Sequence, residues 1–536
     1  MGRLTNRVIN QVKKTKSHKK KKQTMKKKLF KTRLFSFAAF CGLTFAFASC
    51  ANEDVTQNPN NTENDKNLTT FTAGDPSTRT SMESDGKFFW EAGDKIWVKD
   101  DDGTWQQSSN APTAKTASFK FKVPGKFTQS STYKVYYPGQ SGNQDQITIS
   151  ASQSQSAPNT TAHFGTSGDC GMADASKQSN GSFAFTLDHK AAYLLFLPRT
   201  SNTILHDCYL TKVEVNSDND ITSTYTLDPV TGELTGTGTG KQIIVSTGGS
   251  GTYANGFPLT NTSTSAATNG AYVVIKPGTH TLKVRYWVKD IVTNVEGAIT
   301  KTLLSASYDQ NKYYNITANL DVKNYDGDHY YMWDAQDQYW KGHEWWSTNK
   351  DQPVLNTNSN SNYAQNNSDS RYFNEAFTYG VDNPATHASC KDLPNVNEMT
   401  WYAAKGNPRW DNDELWTTMG HLYKGGMWFK KKTKISGFKA NMAVDGTDWR
   451  TTSKNQNWSA SSILPSAAEA SDYFYLPALG LYDSGRLGYV GYYGFYRSSS
   501  ANPWNTSNAY YLYFGSGSVN VENGHRRYGL RAEALQ

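Results

Sequence analysis

The amino-acid sequence predicts a mainly β protein in which β-sandwich domains precede an irregular α+β domain, and three observations predict it. Short runs with period-2 alternation recur between Gly, Pro, Asn and Ser clusters from Phe71 to about Leu320, among them STYKVYYP (131–138), YLLFLP (193–198), TKVEV (211–215) and HTLKVRYWV (280–288). β-Branched and aromatic residues at that spacing, with no long helical pattern between them, build half-buried strands that pack as sandwiches. Beyond Tyr325 the composition shifts: 11 of the 15 Trp lie in residues 325–536, Asn, Tyr and Gly become dense, and only PNVNEMTWYAAKG (394–406) suggests a short helix. So much irregular backbone must be held by stacked rings and side-chain hydrogen bonds.

The chain opens on export chemistry. Its first 49 residues hold 14 Lys and Arg and no Asp or Glu, and the apolar run LFSFAAFCGLTFAF (34–47) leads into ASC (48–50). A basic stretch, a short apolar core and small residues make a secretory signal, too short to span a membrane. The Cys after the small pair makes the segment resemble a lipoprotein signal. That resemblance implies cleavage before Cys50, acylation of Cys50 and membrane attachment through lipid, although Phe47 stands where the motif usually has Leu. Met25 offers an alternative start, and an uncleaved N-terminal anchor is the alternative to processing. The ANEDV that follows resembles the signal carrying lipoproteins to the outer face of some Gram-negative anaerobes, which implies an outer-membrane, cell-surface protein; a plain polar tether is the other reading. Residues 50–70 are expected to be the lipidated Cys and a flexible tether, since they are polar and lack aromatic side chains.

Without the signal's 14 basic residues, 41 basic face 47 acidic residues, so the exported chain is mildly acidic and offers no argument for a nucleic-acid partner. Five Cys are present, of which Cys170, Cys208 and Cys390 lie beyond the signal and Cys50, allowing one disulfide at most. No C-x-x-C occurs, which excludes a disulfide scaffold and a zinc array. The 487 residues from Cys50 onward suggest about three domains at roughly 150 residues each.

Four segments in the β region carry a family resemblance: TRTSMESDGKFFWEAGDKIWV (78–98), FAFTLDHKAAYLLFLP (183–198), AYVVIKPGTHTLKVRYWVKD (271–290) and NKYYNITANL (311–320). Together, in this order, they resemble the fimbrillin family of lipoprotein-derived pilins. The resemblance implies two tandem pilin-like β-sandwiches, expected over 71–200 and 201–324, with Trp90 capping the first core. It also implies other pilin subunits as partners by donor-strand exchange, freed by proteolysis after an Arg near the first strand. Arg79 occupies about that position; an exposed edge-strand Arg is the bland alternative.

Residues 325–536 form the third expected domain. LPNVNEMTWYAAKG (393–406), YKGGMWFKKK (423–432), FYLPALGLYDSGRLGYVGYYGFYRSSSA (474–501), AYYLYF (509–514) and RRYGLRAEAL (526–535) resemble the C-type-lectin-like fold, in the branch shared with formylglycine-generating enzymes and the bacterial major paralogous domain. Arg497 stands where the branch usually has Trp before the Ser run. The resemblance makes AYYLYF and YGLRAEAL core strands with alternate residues inside. GSGSVNVENGHRR (515–527) between them becomes a hairpin presenting Asn520, Asn523, His525 and Arg526 outward. Tyr492, Tyr493, Tyr496, Arg497, Trp504 and Asn505 complete the expected ligand-binding face, whose partner is a host or bacterial surface protein or a glycan. Exposed Tyr, Trp and Arg give rigid contact area, and rings stack on sugars while Asn and Arg bond hydroxyls. Domains of this branch are the usual targets of diversity-generating retroelements, so residues 490–528 are either a diversified segment or a fixed member of the same fold. The loop-rich NTNSNSNYAQNNSDS (356–370) is expected to be mobile.

Catalytic and metal motifs are missing from the sequence. Calcium-dependent lectins use EPN or QPD with WND; none occurs, and WNT (504–506) and QPV (352–354) do not supply the carboxylates that Ca²⁺ needs. A formylglycine-generating enzyme needs reactive Cys residues, and this domain has only Cys390, expected to be buried and inert. The acids of WDNDE (410–414) read as a solvated turn rather than a glycosidase pair, and the ten His, including His421 and His525, read as isolated. With no P-loop, no dinucleotide fingerprint and no nucleophile elbow, the sequence calls for no cofactor and no metal. The expected function is adhesion by a lipid-anchored, surface-exposed or fimbrial tip-like subunit rather than enzymatic, with a structural pilin bearing a non-binding cap, or less favoured a carbohydrate-active enzyme, as alternatives.

Overall fold

The computed structural model describes residues 67–74, 81–82 and 88–536. The signal, Met25, Cys50, the tether before residue 67 and Arg79 lie outside the described residues. The protein is mainly β. In the first sheet, Leu68–Ala73 runs between Phe119–Pro124 and Phe183–Phe185, and the path continues through Gly171–Lys177, Thr132–Tyr137, Trp97–Lys99 and Trp105–Gln107. Alternation places Phe71, Ala73, Phe121 and Val123 inside. Trp90 is fully buried, edge-on to Phe121 at 4.9 Å and to Tyr137 at 5.5 Å.

Strands from both sides of residue 200 share sheets. Ala192–Arg199 pairs antiparallel with Ala271–Ile275 and parallel with Tyr313–Asn319. Gln146–Ile149 pairs with Ser223–Leu227, and Ser152–Gln155 with Gln242–Thr247. The apolar run from Ala192 to Pro198 is buried on both faces, which is why it reads as continuous hydrophobicity without a phase that assigns it to one sheet. The remaining large sheet runs Glu296–Thr302, Leu282–Lys289, Tyr209–Ser217, Gln242–Thr247. Cys170 and Cys208 are buried and unpaired.

Beyond Leu320 the chain enters the third region as the strand Lys323–Tyr325, parallel to Arg409–Thr418 and followed across that sheet by His421–Lys430 and Tyr473–Pro477. A second sheet orders Tyr330–Tyr331, Leu530–Arg531, Gly494–Ala501, Asn508–Gly515, Ser518–His525 and Gln456–Ser459. The helix Val396–Lys405 starts on a capping box, with the Asn395 side chain accepting from the Glu398 N–H and Glu398 returning to the Asn395 N–H. Its Val396, Met399 and Tyr402 join Leu512, Phe514, Val519 and Val521 in one core. The 356–370 stretch is held against the domain: Asn360 N–H donates to Gly485 O at 3.0 Å, Thr357 N–H to Leu487 O at 2.8 Å, and Tyr363 stacks on Tyr339. WDNDE is a bulge within the strand Arg409–Thr418: Asn412, Asp413 and Glu414 are exposed, as a solvated segment should be, while Asp411 is buried and accepts the Trp428 indole N–H and the N–H groups of Asp413 and Glu414.

One buried carboxylate clamps the middle core to the third region. Asp290 accepts from the N–H groups of Val292 and Thr293 on its own turn and from Leu422 N–H at 3.0 Å across the junction, with His421 Nδ1 at 3.2 Å. Leu415 and Leu422 pack into the same core as Leu210 and Val288. Asp290→Ala orphans these donors and is expected to lower stability by about 2–3 kcal/mol, seen as a lower urea midpoint; an unchanged midpoint would show the clamp to be dispensable.

The loop between the strands His421–Lys430 and Gln456–Ser459 is held to the helix by a second carboxylate, Asp448, which takes Arg450 at 2.7 Å and the Asn397 amide at 2.8 Å. The Arg450 hydrogen bonds lead the effects that hold Asp448 at about 2, below its ordinary 3.8. A depressed carboxylate stabilises above its unfolded pKa and loses that contribution as pH falls through the folded one. The Asp448 contribution is therefore complete above pH ~4 and lost towards pH ~2. Wild type is expected to destabilise more steeply than Asp448→Asn across that window in acid titrations of melting temperature.

Candidate functional site

The hairpin of Asn508–Gly515 and Ser518–His525 sets the geometry of the candidate site. Its register places Tyr510, Leu512, Phe514, Val519 and Val521 inward and turns Tyr511, Tyr513, Asn520 and Glu522 to the other face. Tyr511 lies opposite Glu522 and Tyr513 opposite Asn520. On the neighbouring strand Phe495 stacks on Tyr513 at 5.0 Å and 12°. Gly515 carries no Cβ because one built there would meet the Tyr493 ring at 2.5 Å.

The result is a cleft of about 740 Å³ walled by Tyr489, Tyr492, Tyr493, Tyr511, Tyr513, Tyr528 and Phe495, with Asp483, Arg486 and Glu522 among its charged groups. Tyr511 Oη donates to Glu522 Oε1 at 2.7 Å, fixing both side chains. Tyr492 is 68% and Tyr489 53% exposed. Tyr489 sits at φ +68°, a backbone conformation that an aromatic residue adopts at a cost. Backbone N–H groups of Tyr492 and Tyr493 both donate to its carbonyl at 3.0 Å, so the turn that holds the strain also sets the two following rings. Preordered aromatic surface of this kind binds at small entropic cost.

The ten expected contact residues separate. Tyr492 and Tyr493 wall the cleft. Asn520 is half-buried on the same sheet face and accepts from the Asn457 amide at 2.5 Å. His525 is exposed and edge-on to Tyr528 at 5.3 Å. Asn523 turns to the inner side of its strand, bonded to Asn508 and Asn455. Trp504 and Asn505 are exposed but do not line the cleft; Trp504 packs edge-on to Tyr379 at 5.1 Å and donates to Thr451 O. Three residues are not on the surface at all. Tyr496, Arg497 and Arg526 are fully buried, which corrects the outward orientation expected for them.

Each has a physical reason to be inside. Tyr496 alternates inward, stacks on Phe514 and donates to Pro477 O at 2.7 Å. Arg497 donates through Nη2 to the carbonyls of Arg526, at 3.0 Å, and Tyr528. Arg526 donates to Asn508 O, Asn374 O and Ala376 O at 2.9–3.1 Å, with its guanidinium 4.5 Å from the Trp333 ring. Burial pulls both guanidiniums down to about 10, so both stay charged at neutral pH. Tyr489, Phe495, Tyr511, Tyr513 and Tyr528 were not among the expected contacts; the phase of AYYLYF, once its core residues are assigned, points to Tyr511 and Tyr513.

Several histidines face carboxylates. His189 meets Asp169, His343 meets Asp351 and His421 meets Asp290. His329 lies 2.8 Å from Asp326 and 2.7 Å from Asp328, a set of ligand types that could hold a cation, but Arg531 already bonds the same Asp326 carboxylate. Cys390 is buried, its thiol pushed up to about 11 by desolvation.

No protein-family model and no curated protein matches the chain. Among solved structures, a candidate cell adhesion protein from Bacteroides ovatus ATCC 8483 is 14% identical, covering 47% of this chain and 91% of that one at a TM-score of 0.29. A second, from Bacteroides fragilis NCTC 9343, is 12% identical over 48% and 93% at 0.27. A fimbrial protein from Bacteroides ovatus ATCC 8483 is 9% identical over 86% and 98% at 0.26. At these TM-scores the likenesses carry no argument about how this chain folds or acts.

Arg497→Met keeps bulk and removes the donors to two buried carbonyls. It is expected to cost roughly 3–5 kcal/mol, read from urea unfolding, whereas a surface role for Arg497 would leave the midpoint unmoved.

Proposed function

We propose that this chain is a surface adhesin, a binder rather than an enzyme, whose tyrosine cleft holds a partner away from the cell while the β-sandwiches give reach. The observation that carries the reading is the cleft itself: seven aromatic rings around one concavity, two of them largely exposed and one on strained backbone. Rings displayed in this way favour water exclusion by a partner, and Tyr is enriched where binding energy concentrates. Attachment through Cys50 and a place at the end of a fimbrial fibre fit the same reading. No helix among the described residues is long and apolar enough to cross a membrane. Residues 490–528 include most of the rim but alternate with core positions such as Leu512 and Phe514. A diversified rim on a constant core is the form of the proposal that the lectin-like resemblance supports.

Tyr489 and Tyr492 are exposed, so their replacement spares the core. The double variant Tyr489→Ser/Tyr492→Ser is expected to weaken adhesion of the displayed protein to its target cells at least about tenfold with unchanged thermal unfolding. Full adhesion by a folded double variant would remove the cleft from the mechanism.

A further inference from the structure

A second cleft, of about 520 Å³, lies on the other side of the Tyr492–Tyr493 wall, where the loop Val292–Val295 of the middle region meets the third region. Both regions line it, and the Asp290 clamp at one end of that loop holds the two together. Its chemistry differs from that of the tyrosine cleft. Lys424 is the one charged residue in its lining, and among the described residues Lys424 makes no ion pair with the neighbouring Glu414 or any other acid. Trp410 is 7% exposed, yet its indole N–H, unlike those of Trp416 and Trp428, has no protein acceptor among the described residues. The amides of Asn358 and Asn412 line the same space without a side-chain partner.

We propose that this junction cleft is a binding site for an anionic sugar residue. A pyranose offers a flat apolar face to the ring of Tyr492, which is 68% exposed, and hydroxyls to the two Asn amides. A carboxylate or sulfate on the sugar supplies the acceptor that Lys424 and the Trp410 N–H lack. Clefts at the meeting of two regions, with apolar walls and a few convergent polar groups, are where small ligands commonly sit. The site is separate from the proposed tyrosine cleft, and Tyr489, which lines only the latter, keeps the two tests apart.

The test is calorimetric titration of the full chain with 3′-sialyllactose against lactose, and with galactose 6-sulfate against galactose, so that carboxylate and sulfate are distinguished. Binding of an acidic member, at least tenfold tighter than its neutral counterpart, is expected. Lys424→Gln and Val292→Glu, one from each side of the junction, should each weaken it at least tenfold, and Tyr489→Ser should leave it unchanged. Equal binding of acidic and neutral sugars, no binding of any of them, or acidic-sugar binding that survives Lys424→Gln and Val292→Glu in folded protein would overturn the proposal. Loss on Tyr489→Ser would assign the sugar to the tyrosine cleft and overturn it as well.

Discussion

Irregular backbone can be buried only if its carbonyl groups find donors, and in the third region three arginines supply them. Arg497 reaches the carbonyls of Arg526 and Tyr528, Arg526 those of Asn374, Ala376 and Asn508, and Arg531 that of Asp326. An unmet buried carbonyl costs on the order of 1–3 kcal/mol, so these contacts replace the ladders that a domain of loops does not have. The guanidinium suits the work because its donors lie in one plane and fork outward, reaching several segments at once. Among the described residues Arg497 and Arg526 make no ion pair; carbonyl dipoles meet both, and the Trp333 ring lies against Arg526. All three side chains come from strands or turns of the last sheet, so the sheet that carries the tyrosine face also ties down the loops around it.

That arrangement explains why cleft-lining and core residues interleave along one segment. In Asn508–Gly515 consecutive side chains alternate between the core and the cleft. The same two-residue period that makes a strand therefore separates the residues of the cleft from those of the core. The strain at Tyr489 fits here too, since a turn pinned by two N–H donors and backed by a packed strand can hold an unfavourable φ.

The strands and the helix were readable from the sequence because each rests on local information. Period-2 runs and the helical stretch at 394–406 are set by neighbours within a few residues, whereas the place of Trp90 against Phe121 and Tyr137 came from the family resemblance. Ala192–Arg199 was not assignable, since a strand covered on both faces has no polar phase. Arg497 and Arg526 misled for a different reason: an Arg among Tyr and Asn has the same composition whether it faces a ligand or a ring of carbonyls, and only the loops arriving from residues 331 and 374–376 decide. The loop at 356–370 looked mobile because its order comes from the distant 485–490 turn. Of the expected aromatic residues Tyr492 and Tyr493 line the cleft and Tyr496 does not, because the strand phase that selects Tyr511 and Tyr513 over Tyr496 had to be known first.

The position of Leu68–Ala73 has a mechanical side. It lies inside its sheet, laddered to Phe119–Pro124 on one edge and to Phe183–Phe185 on the other. Tension applied between that strand and the tyrosine cleft cannot peel an edge; it must break two ladders together before the strand leaves. Farther along, the same load meets the Lys323–Tyr325 pairing and the Asp290 clamp before it reaches the cleft. These connections are thus arranged as links in series, so that resistance to a pull along the chain is set by the weakest of them and not by their sum.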